Sequence, residues 1–198
     1  MSIFFTMSLF ALSLSISPGP VNLVTFSFGL NYGFLSSLSF AAGAAVGFTV
    51  MLVLMGLGLG ELMAVNSTAI GVLTYAGTAF ICYMGYKIAT AHPELPDTDR
   101  QQPGFLHGAA LQWLNPKAWI GSLSAITAFE ATPDNRLYPF ALIYLVICFL
   151  SVSTWAFAGE RVSSLIRDEQ MMRRCNRILG GLLVAVAIYL LYLHLARP

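Results

Sequence analysis

The chain has 198 residues, of which 57% are hydrophobic and 10% charged, with a formal net charge of +1. A soluble domain carries about 25% charged residues, so an all-soluble fold is excluded, and the near-neutral balance gives no field for nucleic acid or another highly charged partner. No charged side chain occurs before Glu61, a neutral run suited to helices in lipid, where roughly 20 apolar residues cross a ~30 Å hydrocarbon core.

The hydropathy predicts about six transmembrane helices. Helix 1 runs from about Ile3 to Phe28, interrupted by Ser17-Pro18-Gly19-Pro20. The first thirty residues lack a basic start and an Ala-x-Ala cleavage site, so they read as a mature helix and not a signal peptide. Asn31-Tyr32-Gly33 is a short turn. Helix 2 follows from about Phe34 to Gly60, with Gly43 and Gly47 as a GxxxG pair for close helix contact. Glu61 to Thr68 is a polar exit. Helix 3 spans about Ala69 to Thr90, and Ala91 to Pro103 is an extended polar loop. Helix 4 runs from about Gly104 to Phe129, and Glu130 to Arg136 is a short connection. Helix 5 spans about Leu137 to Gly159. Glu160 to Asn176 is charged and reads as a short interfacial helix, leaving helix 6 from about Arg177 to Ala196.

Basic residues set the orientation. Lys87, Arg100, Arg161, Arg167, Arg173, Arg174 and Arg177 lie at one side, against Arg136 and Arg197 at the other. The basic side is expected in the cytoplasm, which puts both termini in the periplasm. A weak internal repeat also shows. Pro18 and Pro116 are 98 positions apart, Gly60-Glu61 and Gly159-Glu160 99 apart, and Gly77/Tyr86 and Gly180/Tyr189 103 apart. Three helices per half is an odd number, so two halves of about 1–98 and 99–198 would be inverted repeats in one transmembrane domain, a frequent transporter architecture.

Two stretches carry candidate chemistry. Pro18, Gly19 and Pro20 remove two backbone donors mid-helix and add a flexible point, stripping partners from the carbonyls near positions 14 to 16. Either the broken helix lines a solute cavity, with Asn22 one turn on, or the motif is a packing kink. Gln112, Asn115, Pro116 and Lys117 lie in the middle of helix 4. A lysine there costs roughly 2.5–3.5 kcal/mol on insertion scales unless water or a partner meets it. It binds a substrate carboxylate or changes protonation during transport, or else it is a structural lysine tied to carbonyls or to another helix's carboxylate.

The remaining polar residues read more plainly. Glu61 and Glu160 fit solvated helix ends, with a gate or a point of proton uptake as the other reading, Glu130 fits a helix end, and His92, His107 and His194 fit interfacial positions. Cys82, Cys148 and Cys175 fit small apolar fillers, since no metal or disulfide spacing is present. Trp113, Trp119, Tyr83, Tyr86 and Tyr144 are either pathway-lining or anchors. No cofactor is expected.

SPGPVN at Ser17 to Asn22, the Gly-rich second helix, the stretch from Gly77 to Lys87 and LQWLNPKAW at Leu111 to Trp119 together resemble the lysine exporter (LysE/RhtB) family of amino-acid efflux proteins. The resemblance covers nearly the whole chain. It implies efflux of amino acids or derivatives across a bacterial inner membrane by proton exchange, as a homodimer, with small neutral solutes such as cysteine, O-acetylserine, homoserine or threonine favoured. The rivals are a membrane-embedded thiol oxidoreductase, which would need two cysteines in reach, and a channel or structural membrane protein.

Overall fold

The computed structural model describes residues 3–59, 67–91, 104–129, 136–166 and 168–196. They form eight helices: α1 (Ile3–Ile16), α2 (Pro20–Tyr32), α3 (Phe34–Leu54), α4 (Ser67–Ala89), α5 (Phe105–Trp113), α6 (Pro116–Phe129), α7 (Leu137–Ser163) and α8 (Glu169–Leu195), with a π turn at Met55–Leu59 ending α3. There is no strand among the described residues.

Both expected breaks are present. α1 and α2 bend by 63° at Ser17–Gly19, and α5 gives way to α6 at Leu114-Asn115. In each case the second piece opens on a proline, Pro20 or Pro116. The first helical position is where proline is best tolerated, because its missing N–H would have no intrahelical partner there. The turn between α2 and α3 is made by Gly33, whose φ of 82° suits a residue without a Cβ.

Three described helices, Phe34–Gly58, Leu137–Ser163 and Glu169–Leu195, are long and apolar enough to cross a membrane, and the bent pair α1–α2 passes the same test when its two pieces are taken as one span. The outward face of α7 shows why: Leu142, Val146 and Leu150 follow one another at helical spacing and are all exposed, an apolar stripe suited to lipid.

α3 and α7 pack together at the centre. α2 and α1 lie against α7, α5 lies against α3, and α4 pairs with α8. Glycines allow these approaches. A Cβ on Gly43 would overlap the Phe105 carbonyl oxygen, and one on Gly47 would come within 2.9 Å of Ala109 Cα. The Gly43–Gly47 pair therefore serves the α3–α5 contact, where small residues let backbones approach.

One boundary differs from expectation. Glu160–Asn176 is not a separate interfacial helix. α7 continues to Ser163 and α8 begins at Glu169. Asp168 starts α8 by accepting a hydrogen bond from the Met171 amide at 2.6 Å, as an N-cap does, and Glu169 bridges Arg173 one turn on at 3.5 Å. Charge sets this stretch apart from the apolar run that follows, whereas the Asp168 cap and i,i+4 pairing start a single helix that continues through it. Gly60, Glu61, His92, Arg100, Glu130, Arg167 and Arg197 lie outside the described residues.

Candidate functional site

The two helix breaks meet. Lys117, the second residue of α6, reaches across to the end of α1, where Nζ donates to the Ser17 carbonyl oxygen at 2.9 Å and to Ser17 Oγ at 2.7 Å. The position is electrostatically selective. A cation at the N-terminus of its own helix is disfavoured by the dipole, while the carbonyl end of another helix favours it. Lys117 thus carries its charge away from the start of α6 and onto the end of α1. Gly19 gives it room: a Cβ there would stand 3.3 Å from both Lys117 Cδ and Nζ.

The carbonyls freed by the Pro18-Gly19-Pro20 break can be followed one by one. Leu14 O accepts from Ser17 Oγ at 3.0 Å, Ser15 O from Asn22 Nδ2 at 2.9 Å, and Ile16 O from Trp155 Nε1 at 3.1 Å. Ser17 O accepts from Asn22 Nδ2 at 2.8 Å as well as from Lys117. Backbone groups without water must find such partners inside the protein. Because the Asn22 amide nitrogen faces two carbonyls, its Oδ1 points the other way and accepts nothing from a described residue.

The second break is closed by its own side chains. Asn115 Oδ1 accepts from the Lys117 amide at 3.1 Å, capping α6, and Trp119 Nε1 donates to the Trp113 carbonyl across the gap at 2.6 Å. Trp113 and Trp119 also meet edge to face at 6.0 Å. This gives Trp119 a structural partner at the break.

Between the breaks and the α3–α7 pair is a small cavity of about 30 Å³, lined by Asn22, Gln112, Asn115, Lys117, Tyr144 and Cys148 together with apolar neighbours. It has room for a water or two and not for an amino acid, so a solute site here must widen to fill. On its other side Lys117 borders a wider groove of about 610 Å³ between α1, α6 and α8, lined by Pro18, Gly19, Pro20 and mainly apolar side chains. The sequence-derived candidates are therefore brought together: Asn22, Gln112, Asn115 and Lys117 face the inner cavity, Pro18 and Pro20 the groove, and Gly19 and Lys117 both. Pro116 starts α6 beside them.

Three features go further than the sequence alone indicates, which leaves Tyr144 as either pathway-lining or an anchor, Cys148 as an apolar filler and Glu160 as a helix end. Tyr144 and Cys148, one helical turn apart on α7, form the cavity wall opposite the breaks. Asn31 and Asn176 exchange two amide hydrogen bonds of 2.9 Å between α2 and α8. Glu160 is more than a helix end: its Oε1 accepts from the Phe34 amide at 3.1 Å, placing a carboxylate at the N-terminus of α3 where the dipole favours it. No group of three or more potential metal ligands is found among the described residues.

A family model for the LysE type translocator matches residues 12–194. The chain belongs to that family. It is a transporter and not an enzyme, and the thiol-oxidoreductase alternative falls with that assignment. Among curated proteins, the cysteine/O-acetylserine efflux protein of Escherichia coli strain K12 is 28% identical over 187 residues, spanning 92% of this chain and 94% of the relative. Proteins of the same name from Shigella sonnei strain Ss046 and Shigella flexneri match with the same identity and coverage. No solved structure matches the chain.

Proposed function

We propose that this translocator exports small neutral amino acids or their close derivatives across the inner membrane, by exchange with protons, through the site where its two broken helices meet. The observation that carries the reading is Lys117, an ammonium held by Ser17 at the edge of a polar cavity. Two of its three protons are engaged, which leaves one to meet a carboxylate. The N-terminal ends of α2 and α6 open at the same place, and each adds the positive end of a helix dipole for an anion. Asn22 Oδ1 is an acceptor for the solute's ammonium. The favoured solute class agrees with the relatives' names, cysteine and O-acetylserine.

On this reading the halves of about 1–98 and 99–198 are inverted repeats, each crossing three times, that rock about the breaks to expose the site to either side. The reading is supported by the two-piece helices α1–α2 and α5–α6, each restarting on proline, and by the mutual pairing of α3 with α7 and α4 with α8. Both termini are then periplasmic, the lipid bilayer is the surrounding solvent, and the working unit is a homodimer.

The test uses purified protein in liposomes, a panel of radiolabelled amino acids and an imposed pH gradient. Saturable counterflow driven by the gradient is expected, where a channel would give unsaturated flux without counterflow. Lys117→Met, which keeps similar volume without charge, should remain folded and lose transport. Wild-type rates from a stable Lys117→Met protein would remove Lys117 from the mechanism.

A further inference from the structure

The polar groups around the inner cavity divide into those already engaged and those that are not. Ser15 Oγ donates to Ala11 O, Asn22 Nδ2 to Ser15 O and Ser17 O, and Lys117 Nζ to Ser17, while Asn115 Oδ1 caps α6. Two large polar side chains stand apart. Gln112 is 6% exposed and Tyr144 1% exposed, both line the cavity, and neither side chain hydrogen-bonds to a described residue. Buried amides and phenols normally find partners, and the polar atoms of these two, which border the cavity and are not sealed in protein, can find theirs in a molecule that enters it. Two such groups facing one cavity, on different helices, point to a ligand that supplies the missing bonds.

The placement is rigid. The Tyr144 ring stacks on Phe48 with centroids 4.0 Å apart and planes 13° from parallel, and Phe140 meets it edge-on at 6.0 Å. The phenol oxygen is therefore fixed by two aromatic contacts that do not use it. Gln112 is on α5, in the turn before the second break, and its backbone oxygen accepts from the Asn115 amide at 3.2 Å. Both groups are neutral, and each can donate and accept. They suit a hydroxyl, a thiol or an ester carbonyl alike, and offer no counter-charge to a second ammonium or carboxylate.

Building on the export reading, we propose that Gln112 and Tyr144 read the solute's side chain, and that the preferred solute carries a short neutral side chain with one hydrogen-bonding group. Lys117 and Asn22 hold the part common to every amino acid, and Gln112 and Tyr144 discriminate among them.

The test is competitive counterflow in liposomes, comparing cysteine and homoserine with their apolar counterparts 2-aminobutyrate and norvaline. Wild-type, Tyr144→Phe and Gln112→Met proteins are each measured. Phenylalanine keeps the ring stack and methionine keeps the volume. The ratio within one preparation is unaffected by any loss of folded protein. Wild type should prefer the polar member of each pair, and each variant should reduce that preference about tenfold, the worth of one hydrogen bond to a buried group, with transport of the apolar member retained. Unchanged ratios in both variants, no preference in wild type, or equal loss of all four solutes would each overturn the assignment while leaving export standing. Absence of counterflow in wild type for every amino acid tried would instead defeat the export reading and this inference with it.

Discussion

Replacing Asn22 with leucine tests whether the helix break is held open by its own side chains. Leucine keeps the branch of asparagine, which is 4% exposed, but is bulkier and makes no hydrogen bonds. Two bonds disappear, with unequal consequences. Ser15 O loses the one side-chain donor that serves it and becomes a buried orphan acceptor, at about 1–3 kcal/mol. Ser17 O keeps Lys117, so its loss is a single net hydrogen bond of about 0.5–1.5 kcal/mol. The sum is about 2–4 kcal/mol. At the 2–4 °C per kcal/mol usual for chains of this length, the melting midpoint should fall by roughly 5–15 °C. The assay is the fraction of monodisperse protein left after heating in detergent, read by size-exclusion fluorescence. Asn22→Leu with an unchanged midpoint would show that the α1 carbonyls are satisfied in some other way, and the account of the break would fail. Trp155→Phe is the companion variant. It removes the donor to Ile16 O at a more exposed position, and should cost less than Asn22→Leu.

Other outcomes follow from the same geometry. Gly43→Ala drives a methyl into the Phe105 carbonyl and should destabilise by about 1–3 kcal/mol as overpacking does, whereas Gly181→Ala, with nothing within 4 Å of its added Cβ, should be neutral or stabilising by up to about 1 kcal/mol in the same heating assay. Replacing Pro18, Gly19 and Pro20 together with alanine should leave the protein inserted and abolish counterflow, and normal transport by that variant would reduce the motif to a packing kink. In a cysteine-free background, a cysteine at position 135 should be labelled from the periplasm and one at position 99 should not; the reverse pattern would invert the topology.

The breaks were legible because proline and glycine act locally. Pro20 and Pro116 cannot continue a helix from the preceding turn, whatever surrounds them. Lys117 was legible because a lone cation in an apolar run is conspicuous. Its partner was not, since Ser17 is an ordinary residue 100 positions away. The same holds for Trp155, which closes the Ile16 carbonyl from 139 positions away, and for the Asn31–Asn176 pair, 145 apart. Long-range polar pairing leaves no period in a sequence. The misplaced start of α8 has a different cause. Hydropathy weighs transfer into lipid and is blind to the Asp168 cap, from which one helix runs through Glu169 to Asn176 into the apolar stretch. Tyr144 was seen only as one aromatic among several, because a phenol without a partner is recognisable only once its neighbours are known.

The solitary charge of Lys117 also has an electrical consequence. It is the one ionisable cation or carboxylate in the described lining of the inner cavity. A zwitterion brings no net charge, so loaded and empty carriers present the same charge to the membrane field while Lys117 keeps its proton. Exchange of one neutral amino acid for another then moves no net charge per cycle, so voltage adds no driving force to it. Net export in exchange for one inward proton is different: each cycle moves one elementary charge, worth about 2.3 kcal/mol per 100 mV. A potassium diffusion potential imposed on the liposomes should therefore shift the level to which net export drives the solute and leave the end point of homoexchange unchanged.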